Sequence, residues 1–265
     1  MEDNNFSVVQ EAQETLVEST IDCQIHGMSK SVSVFGRAQK CEKCIEDSIR
    51  KAAERDIDER DNLVRETKAA RLVSQSGLPE RYIGSTFENY RIMFGADQQN
   101  VLDKSIAFAD LVGQKGWRSL TLYGDSGTGK THLLSSILSR AMQHGCTAKY
   151  VSFPMLNDRF GRARSFSSEE TREDILLEML APDILGIDEI GLVGAVVDEY
   201  VAGIIYDVIN IRYGALKPVV VSTNCGIQEL KLVLGDPVID RLREDGGQFY
   251  PMDWTSYRKI GGVSK

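Results

Sequence analysis

The sequence predicts an α/β fold in which helices cover a mostly parallel β-sheet, and three features predict it. Short apolar runs alternate with longer stretches of helical composition and periodicity along most of the chain. A glycine-rich turn joins one such run to a helix, and a later run ends in two acidic residues. Apolar residues make up 42% of the 265 residues and charged residues 26%, as in globular proteins that bury a core. This composition argues against a collagen, a coiled coil or a chain that is disordered throughout.

Residues 1–22 are expected to form an acidic tail, or alternatively a short partner-binding helix. They hold six acids and no Lys or Arg, whereas the whole chain has a net charge of −8. The rest is therefore nearly balanced, and the acidity does not exclude a nucleic-acid partner. No apolar run approaches the length of a membrane span, and no basic and apolar leader follows Met1. We expect no membrane partner and a cytoplasmic location.

A cluster of cysteine and histidine residues comes next. Cys23 and His26 form one pair with two residues between them, and Cys41 and Cys44 form another. Three thiolates and one imidazole at this spacing are typical of a closed, tetrahedral, structural Zn²⁺ site. A segment this short cannot bury its own core, so metal binding would supply most of its folding free energy. Residues 31–35 are expected to form a hairpin arm, and the alternative interpretation is four unlinked residues.

A connector helix is predicted from about Ile45 to Ser74, a stretch without Gly or Pro. Its apolar positions are sparse, which predicts an exposed helix. The sequence Ser76-Gly77-Leu78-Pro79 would end it and mark a domain boundary. We therefore expect a zinc module with its connector at residues 23–76 and a larger domain at 77–265.

The larger domain shows the alternation of strands and helices most clearly. Apolar runs rich in Val, Ile and Leu predict buried strands, and apolar residues at helical spacing predict the covering helices. Strands are predicted at 119–123, 148–153, 184–188 and 218–222, and helices at 97–112, 130–143, 169–180 and 197–212.

The glycine-rich turn matches the phosphate-loop pattern G-x-x-x-x-G-K-[ST] in full, between an apolar strand and a helix. Its glycines would let backbone N–H groups surround the phosphates of ATP, while Lys130 adds a positive charge. Thr131 would place its hydroxyl on Mg²⁺. The predicted ATP-binding residues are Gly124, Asp125, Ser126, Gly127, Thr128, Gly129, Lys130 and Thr131.

Two further strands end in polar residues that a nucleotide site requires. Asp188 and Glu189 follow an apolar strand, and acids there emerge at the carboxyl edge of a parallel sheet. Asp188 would hold Mg²⁺, and Glu189 would polarise the attacking water. Asn224 follows the next strand and could hydrogen-bond the γ-phosphate or that water. ATP hydrolysis is therefore the predicted reaction.

With these residues in place, the chain resembles AAA+ ATPases, specifically bacterial and phage replicative helicase loaders of the DnaC type. The segments that carry the resemblance span about residues 77–258. They are LPERYIGSTFENY (78–90), YGDSGTGKTHL (123–133), ILGIDEIG (184–191), VVVSTN (219–224), GDPVIDRLRE (235–244) and MDWTSYR (252–258). The resemblance implies an AAA+ core with a five-stranded sheet.

The resemblance also implies roles for single residues. Asn224 matches sensor 1, Arg241 matches the arginine finger that reaches a neighbouring subunit's ATP, and Arg258 matches sensor 2. Both cations would offset charge on the triphosphate. The implied partners are a DnaB-type replicative helicase, single-stranded DNA and further copies of the chain in an open ring or spiral.

A basic and aromatic segment is the candidate contact with single-stranded DNA, because it combines phosphate pairing with base stacking. A solvated basic loop that caps the preceding helix is the alternative interpretation. The candidate residues are Arg159, Phe160, Arg162, Arg164 and Phe166.

The amino-terminal cluster departs from the best-known DnaC proteins, whose amino-terminal domain is helical, and is closer to phage and DnaI-type loaders. That departure leaves open whether the module contacts the helicase or DNA. The predicted function is ATP-dependent helicase loading in the initiation of replication. Two alternatives remain: an IstB-type transposition ATPase, and a zinc-module DNA adaptor with a silent ATPase core.

Overall fold

The structure is a computed structural model that describes residues 19–32, 40–165, 168–191 and 199–260. The chain divides into two compact units, residues 1–64 and 65–265. This division lies within one long helix, whereas the sequence boundary was expected at residue 76. Leu72 and Val73, in the last turn of that helix, belong to the second unit and pack against its core.

The first unit contains a small antiparallel sheet of three strands, β1 (Ser19–Cys23), β2 (Gly27–Val32) and β3 (Lys40–Cys41). A tight turn at residues 24–26 joins β1 to β2, and Cys23 pairs with Gly27 across it. Of the expected arm at 31–35, Ser31 and Val32 end β2, and 33–35 lie outside the described residues. The helix α1 (Glu42–Gln75) follows β3 directly, and its side chains at 48–68 are exposed, as the sparse apolar pattern predicts.

The second unit is built on a parallel sheet of five strands, as the AAA+ resemblance implies. Their spatial order is β5-β6-β7-β4-β8, so the strand that leads into the phosphate loop lies between β7 and β8. The strands are β4 (Ser119–Tyr123), β5 (Ala148–Ser152), β6 (Ile184–Ile190), β7 (Val219–Thr223) and β8 (Gln248–Pro251). The predicted α/β class is confirmed.

Helices cover both faces of this sheet, because successive strand residues point to opposite sides. Val219 and Val221 belong to one core cluster, and Val220 between them belongs to the other. The helices in chain order are α2 (Ala96–Asp110), α3 (Lys130–Gln143), α4 (Phe153–Arg162), α5 (Arg172–Leu180), α6 (Glu199–Gly214), α7 (Ile227–Leu234), α8 (Asp236–Arg243) and α9 (Tyr257–Ile260). Helices α2 and α3 contribute to one cluster and α4 to α8 to the other.

One helix differs from the sequence prediction in a way that matters for function. The strand expected to reach residue 153 ends at Ser152, and α4 begins at Phe153 with a proline in its first turn, where proline is well tolerated. This helix buries Phe153, Leu156 and Phe160 on one face. It therefore includes the first four residues, 159–162, of the segment that the sequence suggests as a contact with single-stranded DNA.

Among the described residues, no helix is both long enough and apolar enough to cross a membrane.

Candidate functional site

The phosphate loop runs from the end of β4 to the start of α3, as the motif requires. Gly124, Gly127 and Gly129 have φ angles of 133°, 83° and 102°, values that glycine adopts without strain. A side chain at Gly129 would also come within 2.8 Å of the Tyr90 ring. Glycine is thus required here both by the backbone conformation and by close packing around the loop.

Lys130 begins α3 and is only 6% exposed. Its ammonium donates hydrogen bonds to the carbonyl oxygens of Gly124 and Asp125, at 2.7 and 2.6 Å. Burial lowers the pKa of Lys130 to about 8, although Asp188 and Asp125 act in the opposite direction. The cation is therefore held inside the loop, where phosphate oxygens would compensate for its burial.

Asp188 and Glu189 lie at a β-bulge in β6. Ile187 pairs with Val221 and Ile190 with Thr223, so β6 has one extra residue in this interval. Glu189 occupies that bulge with φ 60°, and its side chain is exposed while Asp188 is 2% exposed. The bulge turns two neighbouring acids in different directions, one into the sheet edge and one towards solvent.

A pocket with a volume of about 310 Å³ lies over the phosphate loop. The structure brings Lys130, Thr131, Asp188, Glu189, Asn224 and Arg258 together in its lining. A guanidinium nitrogen of Arg258 is 3.4 Å from the hydroxyl of Ser126. Hydroxyl and carboxylate oxygens of Thr131 and Asp188 in one pocket are a donor set that suits Mg²⁺.

The sequence prediction missed the other side of this pocket. Tyr82, Asn89, Tyr90 and Arg91 line it, all from the segment between α1 and α2, together with His132 of α3. Residues 78–90 contribute to the resemblance to helicase loaders, but no periodicity or motif in them indicates that their side chains line a pocket. Aromatic and polar side chains together suit the base and sugar of a nucleotide.

The segment at residues 252–257 packs on the phosphate loop. The Trp254 indole donates to the carbonyl of Thr128 at 2.9 Å, and the Tyr257 backbone N–H donates to the carbonyl of Gly127 at 2.9 Å. The Tyr257 hydroxyl in turn donates to the carbonyl of Arg91. One segment therefore connects the phosphate loop to the aromatic side of the pocket.

Arg241 does not reach the pocket of its own chain. It lies on α8 with its guanidinium carbon 5.0 Å from the centre of the Tyr206 ring and 5.8 Å from that of Tyr213. The Trp117 indole donates to its backbone carbonyl at 2.8 Å. A position away from its own nucleotide pocket is compatible with action on a neighbouring subunit.

The basic segment is mostly engaged within the fold, which corrects part of the DNA-binding expectation. Phe160 is 1% exposed in the core and cannot stack on a base. Arg159 pairs with Glu170 at 2.5 Å and with Glu178. Arg162 and Arg164 remain exposed, and Phe166 lies outside the described residues.

Cys23, His26, Cys41 and Cys44 converge in the first unit, with their ligand atoms within 4.8 Å of one another. The Sγ atoms of Cys23 and Cys44 are 3.5 Å apart, and His26 Nδ1 is 3.3 Å from Cys44 Sγ. A tetrahedral site with Zn–S bonds of about 2.3 Å has S–S edges of about 3.8 Å, so the cluster fits zinc. Backbone hydrogen bonds from Ile25 and His26 lower the pKa of Cys23 to about 6, which favours the thiolate.

The family model described as IstB-like ATP binding protein matches residues 22–258 of the chain, which is most of its length. The chain belongs to the IstB-like ATP-binding family. It is therefore an ATP-binding AAA+ ATPase, as the sequence predicts. The residues expected to bind and hydrolyse ATP within one subunit lie together at the pocket over the phosphate loop.

Curated relatives of this IstB-like chain include proteins named replicative helicase loader DnaC. The one from Buchnera aphidicola subsp. Acyrthosiphon pisum is 30% identical over 202 residues, which cover 75% of this chain and 80% of that protein. The Escherichia coli (strain K12) protein of the same name is also 30% identical over 202 residues, covering 76% and 79%. The crystal structure of the DnaC helicase loader has the same fold, with a TM-score of 0.57, 20% identity and coverage of 65% and 99%.

Proposed function

We propose that this protein is an ATP-dependent loader that binds a DnaB-type hexameric helicase and delivers it onto single-stranded DNA to initiate replication. The observation that carries the proposal is the 30% identity, over most of both chains, to relatives named replicative helicase loader. The pocket supports it, because every residue expected to bind and hydrolyse ATP within one subunit lines that pocket or lies in the loop beneath it.

In the proposed reaction, the phosphates of ATP lie over the loop, and the Lys130 ammonium moves from the loop carbonyls onto the β- and γ-phosphates. Glu189 accepts a hydrogen bond from a water molecule and polarises it towards the γ-phosphorus. The water oxygen bonds to that phosphorus as the bond to the β–γ bridging oxygen breaks. Glu189 accepts the proton that the water releases, and ADP and phosphate leave. Asn224 orients the water, and Arg258 offsets charge on the γ-phosphate.

Mg²⁺, bound by Thr131 and Asp188, would neutralise charge on the β- and γ-phosphates. Asp188 suits this role because its carboxylate lies at the carboxyl end of β6, in the same pocket as the Thr131 hydroxyl. Glu189, one residue further along the bulge, is left free for the water.

Arg241 would complete the site of a neighbouring copy, so that hydrolysis depends on assembly into an open ring or spiral. Its position on α8, away from its own pocket, supports this role. Arg162 and Arg164 are the remaining candidates for contact with single-stranded DNA, because both are exposed.

The amino-terminal unit would bind Zn²⁺ through Cys23, His26, Cys41 and Cys44 and contact the helicase. The convergence of the four ligand atoms supports the metal site. We propose the divisions 1–22, 23–76 and 77–265 as tail, zinc module with connector, and ATPase domain.

Co-purification with a DnaB-type helicase tests the proposal. The wild-type chain should form a stable complex with the hexamer, and the Lys130→Ala variant should lose ATP binding and the ATP-dependent release of the helicase. A control variant, Lys104→Ala, changes an exposed lysine of α2 and should behave like the wild type. Failure of the wild type to bind the helicase with or without ATP would overturn the loader assignment. Recovery of a transposase instead would favour the transposition ATPase.

A further inference from the structure

Two hydroxyl groups from neighbouring strands hold the Asp188 carboxylate in the sheet. The Tyr150 hydroxyl, from β5, donates to Asp188 Oδ2 at 3.0 Å. The Ser222 hydroxyl, from β7, donates to Asp188 Oδ1, which also accepts the backbone N–H of Glu189 at 3.0 Å. Since β5 and β7 flank β6 on its two sides, both carboxylate oxygens are fixed, one from each neighbouring strand.

The burial of these hydroxyl groups indicates that the contacts are specific. Tyr150 is 9% exposed and Ser222 is 1% exposed. A buried hydroxyl costs free energy unless it finds a hydrogen-bond partner, and in both residues that partner is the same carboxylate.

We propose that Tyr150 and Ser222 are positioning residues that fix the Asp188 carboxylate for the Mg²⁺ of the bound nucleotide. The inference rests on the proposed role of Asp188. The two hydroxyl groups take the place of outer-sphere partners that orient metal-binding carboxylates in other proteins. Without them the carboxylate can rotate about its side-chain bonds, and the ion loses a ligand of fixed direction.

The test uses Tyr150→Phe and Ser222→Ala, singly and together, because both variants keep nearly the same shape. Titration of Mg²⁺ against a bound fluorescent ATP analogue gives the Mg²⁺ midpoint without requiring turnover. We expect the midpoint to rise about tenfold in the double variant and kcat to fall by a similar factor. Binding of the analogue in EDTA should stay unchanged. Ser222→Thr keeps a hydroxyl at this position and should have the wild-type Mg²⁺ midpoint. Tyr250→Phe removes a tyrosine hydroxyl on β8, away from Asp188, and should also leave the midpoint unchanged.

A purely structural role would lower the melting temperature of the double variant and leave its Mg²⁺ midpoint unchanged, which overturns the inference. If folding of the double variant fails, the midpoints of the two single variants decide in the same way. Asp188→Asn separates the metal role of Asp188 from the positioning role of the two hydroxyl groups. An unchanged midpoint in Asp188→Asn contradicts the proposed metal role itself. If the Mg²⁺ midpoint shifts in Asp188→Asn and stays unchanged in the Tyr150 and Ser222 variants, only the positioning role is contradicted.

A second inference concerns the cysteine and histidine cluster and rests on the proposed zinc site. His26 turns Nδ1 towards the three Sγ atoms, while its Nε2 is 3.2 Å from Asp47 Oδ2 on α1. The other oxygen of Asp47 accepts a hydrogen bond from Arg50 at 2.7 Å. The imidazole is thus held on the side opposite to the sulfur atoms.

The geometry points to Asp47 as the residue that orients His26 as a zinc ligand. A carboxylate on the outer nitrogen fixes the tautomer and the ring direction, and its loss typically weakens metal binding about 10–100-fold. Zinc affinity of the full chain, measured by competition with a chromophoric chelator, should fall by that factor in Asp47→Ala. Asp58→Ala, at an exposed position of the same helix, is the matched control. Equal zinc affinity in Asp47→Ala and wild type would overturn the inference, and absence of zinc binding by the wild type would overturn the metal site.

Discussion

Arg212 is a charged side chain of the second unit that is fully buried, and it supports the strands on which the site is built. Its guanidinium, on α6, donates to backbone carbonyls at the end of α5 and before β6 and β7, and burial lowers its pKa to about 9. The acceptors are Met179, Leu180, Pro182, Asp183 and Pro218. Arg212 therefore connects the starts of β6 and β7. Asp188 lies near the far end of β6, and Asn224 directly follows β7.

Replacing Arg212 by Met should strongly destabilise the protein. Several buried carbonyl groups would lose their donors, and each unsatisfied group costs about 1–3 kcal/mol. We expect the free energy of unfolding to fall by about 3 kcal/mol or more, measured by urea denaturation. Lys104→Met, at an exposed position of α2, should change it by less than about 0.5 kcal/mol. If the free energy of unfolding of Arg212→Met also fell by less than about 0.5 kcal/mol, the structural role of Arg212 would be contradicted.

At the residue scale, the sequence predicted the side chains whose chemistry is set by a local motif. The phosphate loop and the acidic pair after β6 are of this kind, because loop and strand end are continuous in sequence. Tyr150 and Ser222 were not predicted, since their contact with Asp188 depends on the order of strands in the sheet. Phe160 was wrongly interpreted as a residue that stacks on DNA bases, because the basic and aromatic composition of its segment was considered without the helical spacing of Phe153, Leu156 and Phe160.

At the scale of elements, the segment at 252–257 is the part of the fold best placed to respond to nucleotide. Its Trp254 contacts the phosphate loop, and Trp117 is the other tryptophan of the chain. In a Trp117→Phe background, ATP should change the emission of Trp254, because phosphate binding alters the loop carbonyl that its indole contacts. An emission unchanged at saturating ATP, with binding verified by a fluorescent analogue, would contradict this coupling.

The small sheet of the first unit should depend on metal. If zinc holds the four ligands together, a strong chelator should expose the amides of β1 to β3 to hydrogen exchange. ATP binding by the second unit should persist under the same conditions. Protection of β1 to β3 that survives verified removal of zinc would show that the sheet folds without the metal.

The four strands β4 to β7 were predicted nearly to their ends, because buried parallel strands are continuous apolar runs in the sequence. The last part of the chain was not assigned to elements. Helices α7 and α8 have only eight residues each, too few for a clear periodicity. Strand β8 is half exposed, and its place comes from pairing with β4, which the local sequence does not encode.

At the scale of the whole molecule, assembly should complete the ATPase site. Arg241→Ala should keep ATP binding and lose about 10³-fold in kcat, since an arginine finger contributes 10³–10⁵ in related reactions. Arg243→Ala, on the same helix, is the control. A mixture with Lys130→Ala should recover activity, because that subunit retains Arg241 for its neighbour. Full activity of Arg241→Ala alone would exclude the finger role.

The central claim is that ATP binding in the pocket over the phosphate loop drives delivery of a replicative helicase. The most direct measurement is loading of a purified DnaB-type hexamer onto circular single-stranded DNA, followed by unwinding of an annealed strand. We predict loading with the wild-type chain and ATP, and little loading without the chain or with Lys130→Ala. Equal loading by wild type and Lys130→Ala would contradict the claim.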